Sequence, residues 1–151
     1  VSHGGMKHCV QQLNKLYQSH PALYELQYDT AGFEWVETNK RQEGVIAFKR
    51  KSKDPKEEIL VVFNMTPVPR HDYPIHVYGD KPWKEIFNSD DKAFWGVGDL
   101  FNKIVRIEPQ DDKKEWFKLI LESWVHNGIF AQLLTHQVGR RMQQSSHCFS
   151  K

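Results

Sequence analysis

Five apolar residues in succession, Ile59-Leu60-Val61-Val62-Phe63, stand between the acidic pair Glu57-Glu58 and the polar Asn64. The run is rich in β-branched side chains, which suit a pleated surface better than a helix. It is the strongest strand signal in the chain and is expected at the centre of a sheet. Shorter extended segments surround it. Residues 24–28 alternate, 33–37 follow a turn at Gly32, and 44–48 follow a polar loop at 38–43. Residues 75–77, 83–87, 104–107 and 116–121 complete the series. Turn signals recur about every 8–12 residues, the spacing of an antiparallel β sandwich or barrel. Prolines 67, 69, 74, 82 and 109 are placed between strands or at their ends, where a missing N–H costs least.

One segment breaks the extended pattern. Met6, Val10, Leu13 and Tyr17 recur at steps of four, three and four, with Cys9 and Leu16 alongside, which predicts a helix over 5–18. Gly4-Gly5 precedes it and His20-Pro21 ends it, because the residue before proline is pushed out of the α region. A single helix with one apolar stripe needs a surface to pack on. Either the β domain that follows or a partner outside this chain can supply it. The fold class expected is therefore all-β, an antiparallel sandwich preceded by one α-helix. Its divisions are 1–20 for the helix, 21–134 for the β domain, and a disordered tail at 135–151, where Gln, Ser, His and Arg dominate.

Composition narrows the function classes. Net charge is +2, with both signs scattered, and the cluster Lys49-Arg50-Lys51-Ser52-Lys53 runs straight into Asp54, Glu57 and Glu58. Nucleic-acid binding calls for basic residues gathered on one face, so no nucleic-acid partner is expected. No apolar run reaches the length of a membrane span, and the first six residues lack the charged and apolar regions of a signal peptide. The first residue is not Met, so the chain is expected to begin inside a longer protein. Cys9 and Cys148 are read as free thiols in the cytoplasm.

No set of residues forms a convincing catalytic centre. The eight His are spread along the chain, and His71 and His76 flank Pro74 without a carboxylate at metal-ligand spacing. Neither a glycine-rich phosphate loop nor a G-x-S-x-G turn occurs. Glu57/Glu58, Asp90/Asp91 and Asp111/Asp112 sit in charged turns, where adjacent carboxylates diverge instead of facing across a cleft. No metal or other cofactor is expected. The feature that stands out is Asn64-Met65-Thr66-Pro67-Val68-Pro69-Arg70, directly after the central strand. Two prolines one residue apart stiffen the exit, and Asn64 and Thr66 can bond to local backbone, giving a rigid corner.

That corner resembles the N-F-T-P-V-P-R segment of bacterial glycogen branching enzymes. Four further segments are similar, in the family's order. Gln12-Leu13-Asn14-Lys15-Leu16-Tyr17 with Pro21-Ala22-Leu23 is similar to D-L-N-x-L-Y…P-A-L, with Gln12 replacing the usual Asp. Gly32-Phe33-Glu34-Trp35 is similar to G-F-x-W. Gly44-Val45-Ile46-Ala47-Phe48-Lys49-Arg50 is similar to S-V-x-x-F-x-R. Trp83-Lys84-Glu85-Ile86-Phe87-Asn88-Ser89-Asp90 is similar to W-x-E-x-x-N-S-D. The resemblance runs from about residue 3 to about residue 121. It implies the C-terminal sandwich of an α-amylase-like enzyme, with 1–20 as the last helix of a (β/α)8 barrel. The barrel would be the partner, and the family's catalytic carboxylates and substrate-binding His match no residue here. The chain alone is accordingly expected to have no branching activity.

Two departures bear on function. Phe94-Trp95-Gly96-Val97-Gly98 stands where the family has Y-G-G-S-G. The family's Pro-rich final turn is replaced by Glu122-Ser123-Trp124-Val125-His126-Asn127-Gly128, as a shifted reading frame or a foreign tail would produce. Either residues 129–134 form the last strand, or the edge facing 116–121 is open to self-association. Three functions compete. A structural accessory domain would cover the barrel. An α-glucan-binding module would stack sugars on exposed rings among Trp83, Phe94, Trp95, Tyr73 and Tyr78. An unrelated β-sandwich adaptor would share neither role.

Overall fold

The computed structural model describes residues 4–37, 41–66, 68, 70–78, 83–96, 98, 106–109, 116–124 and 130–136. Helix α1 is Gly4–Ser19. The strands are β1 (Phe33–Glu37), β2 (Val45–Lys51), β3 (Glu58–Asn64), β4 (Arg70–Tyr78), β5 (Trp83–Asn88), β6 (Arg106–Pro109), β7 (Trp116–Trp124) and β8 (Phe130–His136). They form two antiparallel sheets, a five-stranded one in the order β1-β2-β3-β8-β5 and a three-stranded one in the order β4-β7-β6. The expected all-β sandwich preceded by one helix is the architecture observed.

The continuous apolar run of β3 has a direct cause. Leu60 and Val62 point between the sheets and join Val45, Ala47, Tyr73, Ile75, Val77 and Trp83 in the inner core. Ile59 and Val61 point the other way, into a second layer with Ala22, Phe87, Cys9, Leu16, Leu23 and Phe48. β3 is therefore buried on both faces over Ile59–Val62, so the run between its polar ends Glu58 and Asn64 is apolar throughout. The molecule has three layers: helix, large sheet, small sheet. Each fully buried Val, Leu or Ile contributes roughly 1.5–3 kcal/mol by transfer from water.

The last strand departs from expectation. β8 does not lie beside 116–121. It enters the large sheet between β3 and β5, pairing Ile59 with Thr135 through Asn64 with Phe130, and Trp83 with His136 through Asn88 with Gln132. β7 has no open edge either, because β4 and β6 flank it. Thr135 and His136, expected in a disordered tail, are instead the end of β8, where pairing to Ile59 and Trp83 holds them; position 129 of the expected strand and the rest of the tail, 137–151 with Cys148, lie outside the described residues.

Two smaller corrections follow from where backbone groups find partners. Residues 24–28 alternate but form turns, since Glu25 N donates to Pro21 O, Gln27 N to Tyr24 O and Asp29 N to Leu26 O. Local bonds satisfy this segment without a neighbouring strand. Pro74 lies inside β4 and not at its end, opposite Ile120. It is tolerated because β4 is an edge strand, where a missing N–H breaks no ladder on the outer side.

The corner after β3 is built as its residues suggest. Buried Asn64 accepts from Thr66 N at 3.0 Å and from Thr66 Oγ1 at 2.7 Å, and donates to Val68 O at 3.0 Å. Met65 N donates to Gly44 O at 2.7 Å. Gly44 has φ +64°, and a Cβ there would meet Thr66 Cγ2 at 2.4 Å, so glycine is required on two counts. Asn64→Ala is expected to lower stability by about 2–3 kcal/mol, close to 1 kcal/mol per lost bond. Asn64→Asp, which keeps both acceptor contacts, should lose less. Urea unfolding midpoints of the two variants test this, and equal losses would contradict it.

Candidate functional surface

The position of α1 inverts the simplest reading of its stripe. Cys9 and Leu16 turn inward onto Ile59, Val61 and Phe87 of the large sheet. Burial in that layer pushes the Cys9 thiol up from its ordinary pKa, which disfavours the reactive thiolate. Gly5 is the buried residue of the helix, with the Trp95 ring against it so closely that a Cβ would lie 2.6 Å from Trp95 Cδ2. The helix ends where Ser19 Oγ and His20 N both donate to Leu16 O.

Met6, Val10, Leu13 and Tyr17 face outward, at 66%, 47%, 37% and 45% exposure. The face continues beyond the helix. A groove of about 380 Å³ lies between α1 and the sheet, lined by Leu13, Leu16, Tyr17, Leu23, Phe48 and Val61, with Arg50 and Asn14 in its wall. Past it, Phe33, Trp35, Phe48 and Phe63 form an aromatic cluster with ring centroids 4.9–6.1 Å apart. Val36 packs against the inner core, so Phe33 and Trp35 occupy the opposite, outer face of β1. Trp35 is an exposed ring in addition to those expected from the sequence. Its signal was available: Phe33-Glu34-Trp35-Val36 places apolar residues on both faces of a strand that has only one core.

The five rings singled out from the sequence are not brought together. Trp83 and Tyr73 are corrected to core residues, since neither has a face open to a sugar. Trp83 sits under Lys49 Nζ, and the Tyr73 hydroxyl donates to Glu43 Oε2 at 2.6 Å, the partner a buried phenol requires. Phe94 is half-buried, stacked on Phe87 and edge-on to His8. Only Trp95 and Tyr78 are more than half exposed, at 58% and 60%. Trp95 adjoins α1, while Tyr78 ends β4 in the small sheet, with the large sheet between those two layers.

A second concavity has a different character. A cleft of about 280 Å³ opens between the sheet-facing side of α1, strand β5 and the 3-10 turn Lys92–Phe94. His8, Gln12 and Asp91 supply its polar side chains, and Leu16, Ile86, Phe87 and Phe94 its apolar walls; Glu85 and Asn88 border it, but the register puts their side chains on the inner face with Leu60 and Val62. A β-bulge between Glu85 and Phe87 sets this up. Trp83 points into the inner core and Phe87 toward the helix layer, an aim that strict alternation forbids for residues four apart. Among the described residues no cluster of three His, Cys, Asp or Glu side chains could hold a metal ion. No described helix is long and apolar enough to cross a membrane.

Two sheets, an inner core shared between them and a helix against the outer face define an all-β domain of the antiparallel sandwich class. Residues 35–124 match the family described as the alpha amylase C-terminal all-beta domain, and the chain belongs to that family. Its curated relatives are more particular. It is 44% identical over 98 residues to the 1,4-alpha-glucan branching enzyme of Oceanobacillus iheyensis, covering 65% of this chain and 15% of that enzyme. It is 46% identical over 97 residues to the 1,4-alpha-glucan branching enzyme of Aquifex aeolicus, covering 64% and 15%. Identity to the same enzyme of Pseudoalteromonas atlantica is 36% over 114 residues, covering 76% and 15%. The chain thus matches about 15% of the length of these relatives.

Proposed function

We propose that this chain is the C-terminal scaffold region of a 1,4-α-glucan branching enzyme, acting in the cytoplasm in α-glucan chain transfer. Its part in that reaction is structural and non-catalytic. Residues 1–20 belong to the catalytic barrel, and the accessory sandwich begins at 21 and runs through β8 to His136. The barrel is the partner, with no nucleic acid or membrane involved. The observation that carries this reading is the outward stripe of α1. Four large apolar side chains at helical spacing, continuous with an apolar groove, are what a helix shows when its second face belongs to an absent neighbour. The relatives extend far beyond the matched segment, which leaves room for such a neighbour.

The test is a chimera in which this chain replaces the matched region of the Oceanobacillus iheyensis enzyme. Val10→Asp with Leu13→Asp is expected to lower branching activity or soluble yield at least about tenfold, because two carboxylates are then forced into an apolar interface. In the isolated chain the same pair should shift stability by only about 0.5 kcal/mol, the usual effect at exposed positions. Full activity of the doubly substituted chimera would remove α1 from the interface.

The alternative, a glucan-binding module using exposed rings, rests on Trp95 and Tyr78, with Phe94 partly available. Stacking along a glucan chain needs rings in a row on one face. Trp95 and Tyr78 occupy different layers, so the scaffold reading is preferred.

A further inference from the structure

The basic run at the end of β2 is neutralised residue by residue, with one exception. Lys49 pairs with Glu58 at 3.7 Å, Lys51 with Glu34, and Lys53 with Glu25 at 3.8 Å. Among the described residues no carboxylate pairs with Arg50. The alternation of β2 explains the difference. Val45, Ala47 and Lys49 face the inner core, while Phe48 and Arg50 face the helix side of the sheet. There Arg50 lies across the ladder from Phe33 and Ile59. The helix over that face contains no Asp or Glu.

Arg50 is half-buried, in the wall of the groove of about 380 Å³ that Leu16, Leu23, Phe48 and Val61 make apolar. Leu13 and Tyr17 belong both to this groove and to the outward stripe of α1, so whatever covers the stripe also closes the groove. A guanidinium cannot escape such a cover by losing its proton. Water is then withdrawn from a fixed charge, at a cost that an anion on the covering surface offsets. The planar fork of Arg matches a carboxylate through two parallel N–H···O bonds. Phosphate recognition gathers several cations, and Arg50 is the one cationic residue of the groove lining.

We infer that the groove is the socket for an acidic segment of the neighbouring barrel. One Asp or Glu of that segment pairs with the Arg50 guanidinium, and an adjoining apolar side chain inserts against Leu16, Leu23, Phe48 and Val61. An arginine beside a tyrosine, ringed by apolar contacts that exclude water, is the composition of an interface hot spot. The inference rests on the proposal that α1 faces the barrel, and names the chemistry of what it meets there.

The chimera with the Oceanobacillus iheyensis enzyme tests it. Arg50→Gln is expected to lower branching activity or soluble yield about tenfold, and Arg50→Glu further, because each leaves the partner carboxylate covered without its cation. In the isolated chain Arg50→Gln should leave the urea midpoint in place, since no partner is lost there. Single reversals of the enzyme's own Asp and Glu residues to Lys, made in the Arg50→Glu chimera, should include one that restores activity. Full activity of both Arg50 variants, as for an arginine whose head stays in water, would overturn the inference, and so would failure of every reversal. If Val10→Asp with Leu13→Asp disrupts the chimera while both Arg50 variants leave it intact, α1 still docks and only the carboxylate is refuted. Two results with the isolated chain would also refute it. Stabilisation by inorganic phosphate that Arg50→Gln removes would mark a free-anion site. A dimer in sedimentation that Arg50→Gln dissociates would mean that a second copy fills the groove.

Discussion

Ending the chain after Gly128 is expected to abolish cooperative unfolding altogether. β8 is the fourth strand of the large sheet, and removing it cuts that sheet in two. β3 loses a partner along residues 59–64, and β5 loses the one strand to which it is paired. Most of those backbone groups cannot be re-solvated under the helix and the small sheet, and each buried unsatisfied group costs about 1–3 kcal/mol. A domain of this kind has about 5–15 kcal/mol of stability in total, so loss of one ladder exceeds it. β5 also carries Trp83 and Phe87 into the two cores, so neither core survives its release. The truncated chain should show a gradual, non-sigmoidal urea profile and concentration-dependent association through exposed strand edges. A sharp transition at the full chain's midpoint would mean that β8 is not in the sheet.

The second large effect comes from a charge inside the sandwich. Lys49 is only 4% exposed, on the inner face of β2, with Nζ 3.7 Å from Glu58 Oε2 and 5.9 Å from the centroid of the Trp83 ring. The alternation of β2 puts Lys49 on the same side as Val45 and Ala47, so it cannot reach the outer face without breaking the strand's register. Glu58→Ala leaves that ammonium buried with its carboxylate partner gone. The expected loss is about 3 kcal/mol, typical of removing one member of a buried pair. Lys49→Met should cost far less, because Glu58 is nearer to solvent and a methionine fills the space beside Trp83. Urea unfolding of the two single variants and the double variant checks the asymmetry. If Lys49→Met is the more damaging, the ion pair and the ring contact contribute more than its desolvation costs.

The strands were legible because their signals are local. β1, β2, β3, β5 and β7 lie where alternation or apolar runs placed them, and β3 is as central as its β-branched run implies. The corner at Asn64 was equally readable, since an asparagine side chain bonding two and four residues on needs nothing distant. Errors arose where a residue's partner is remote. Residues 24–28 carry strand-like alternation but meet no strand. Trp83 and Tyr73 are aromatic like Trp95, and no local pattern separates a ring inside a sandwich from one on its surface. The bulge at Glu85 to Phe87 leaves no mark in the sequence, yet it turns β5 toward the helix and creates the cleft.

By itself the sequence determined a helix, a series of short strands, a rigid proline corner and the likeness to branching enzymes. All of these depend on side-chain periodicity and on residues near one another along the chain. Only the tertiary structure decided that β8 threads between β3 and β5, that Cys9 and Leu16 rather than the Met6–Tyr17 stripe meet the sheet, and which rings are inside. The reason is physical. A period says that one face of an element is apolar, but which surface covers that face follows from long-range pairing, whose free energy no local window contains.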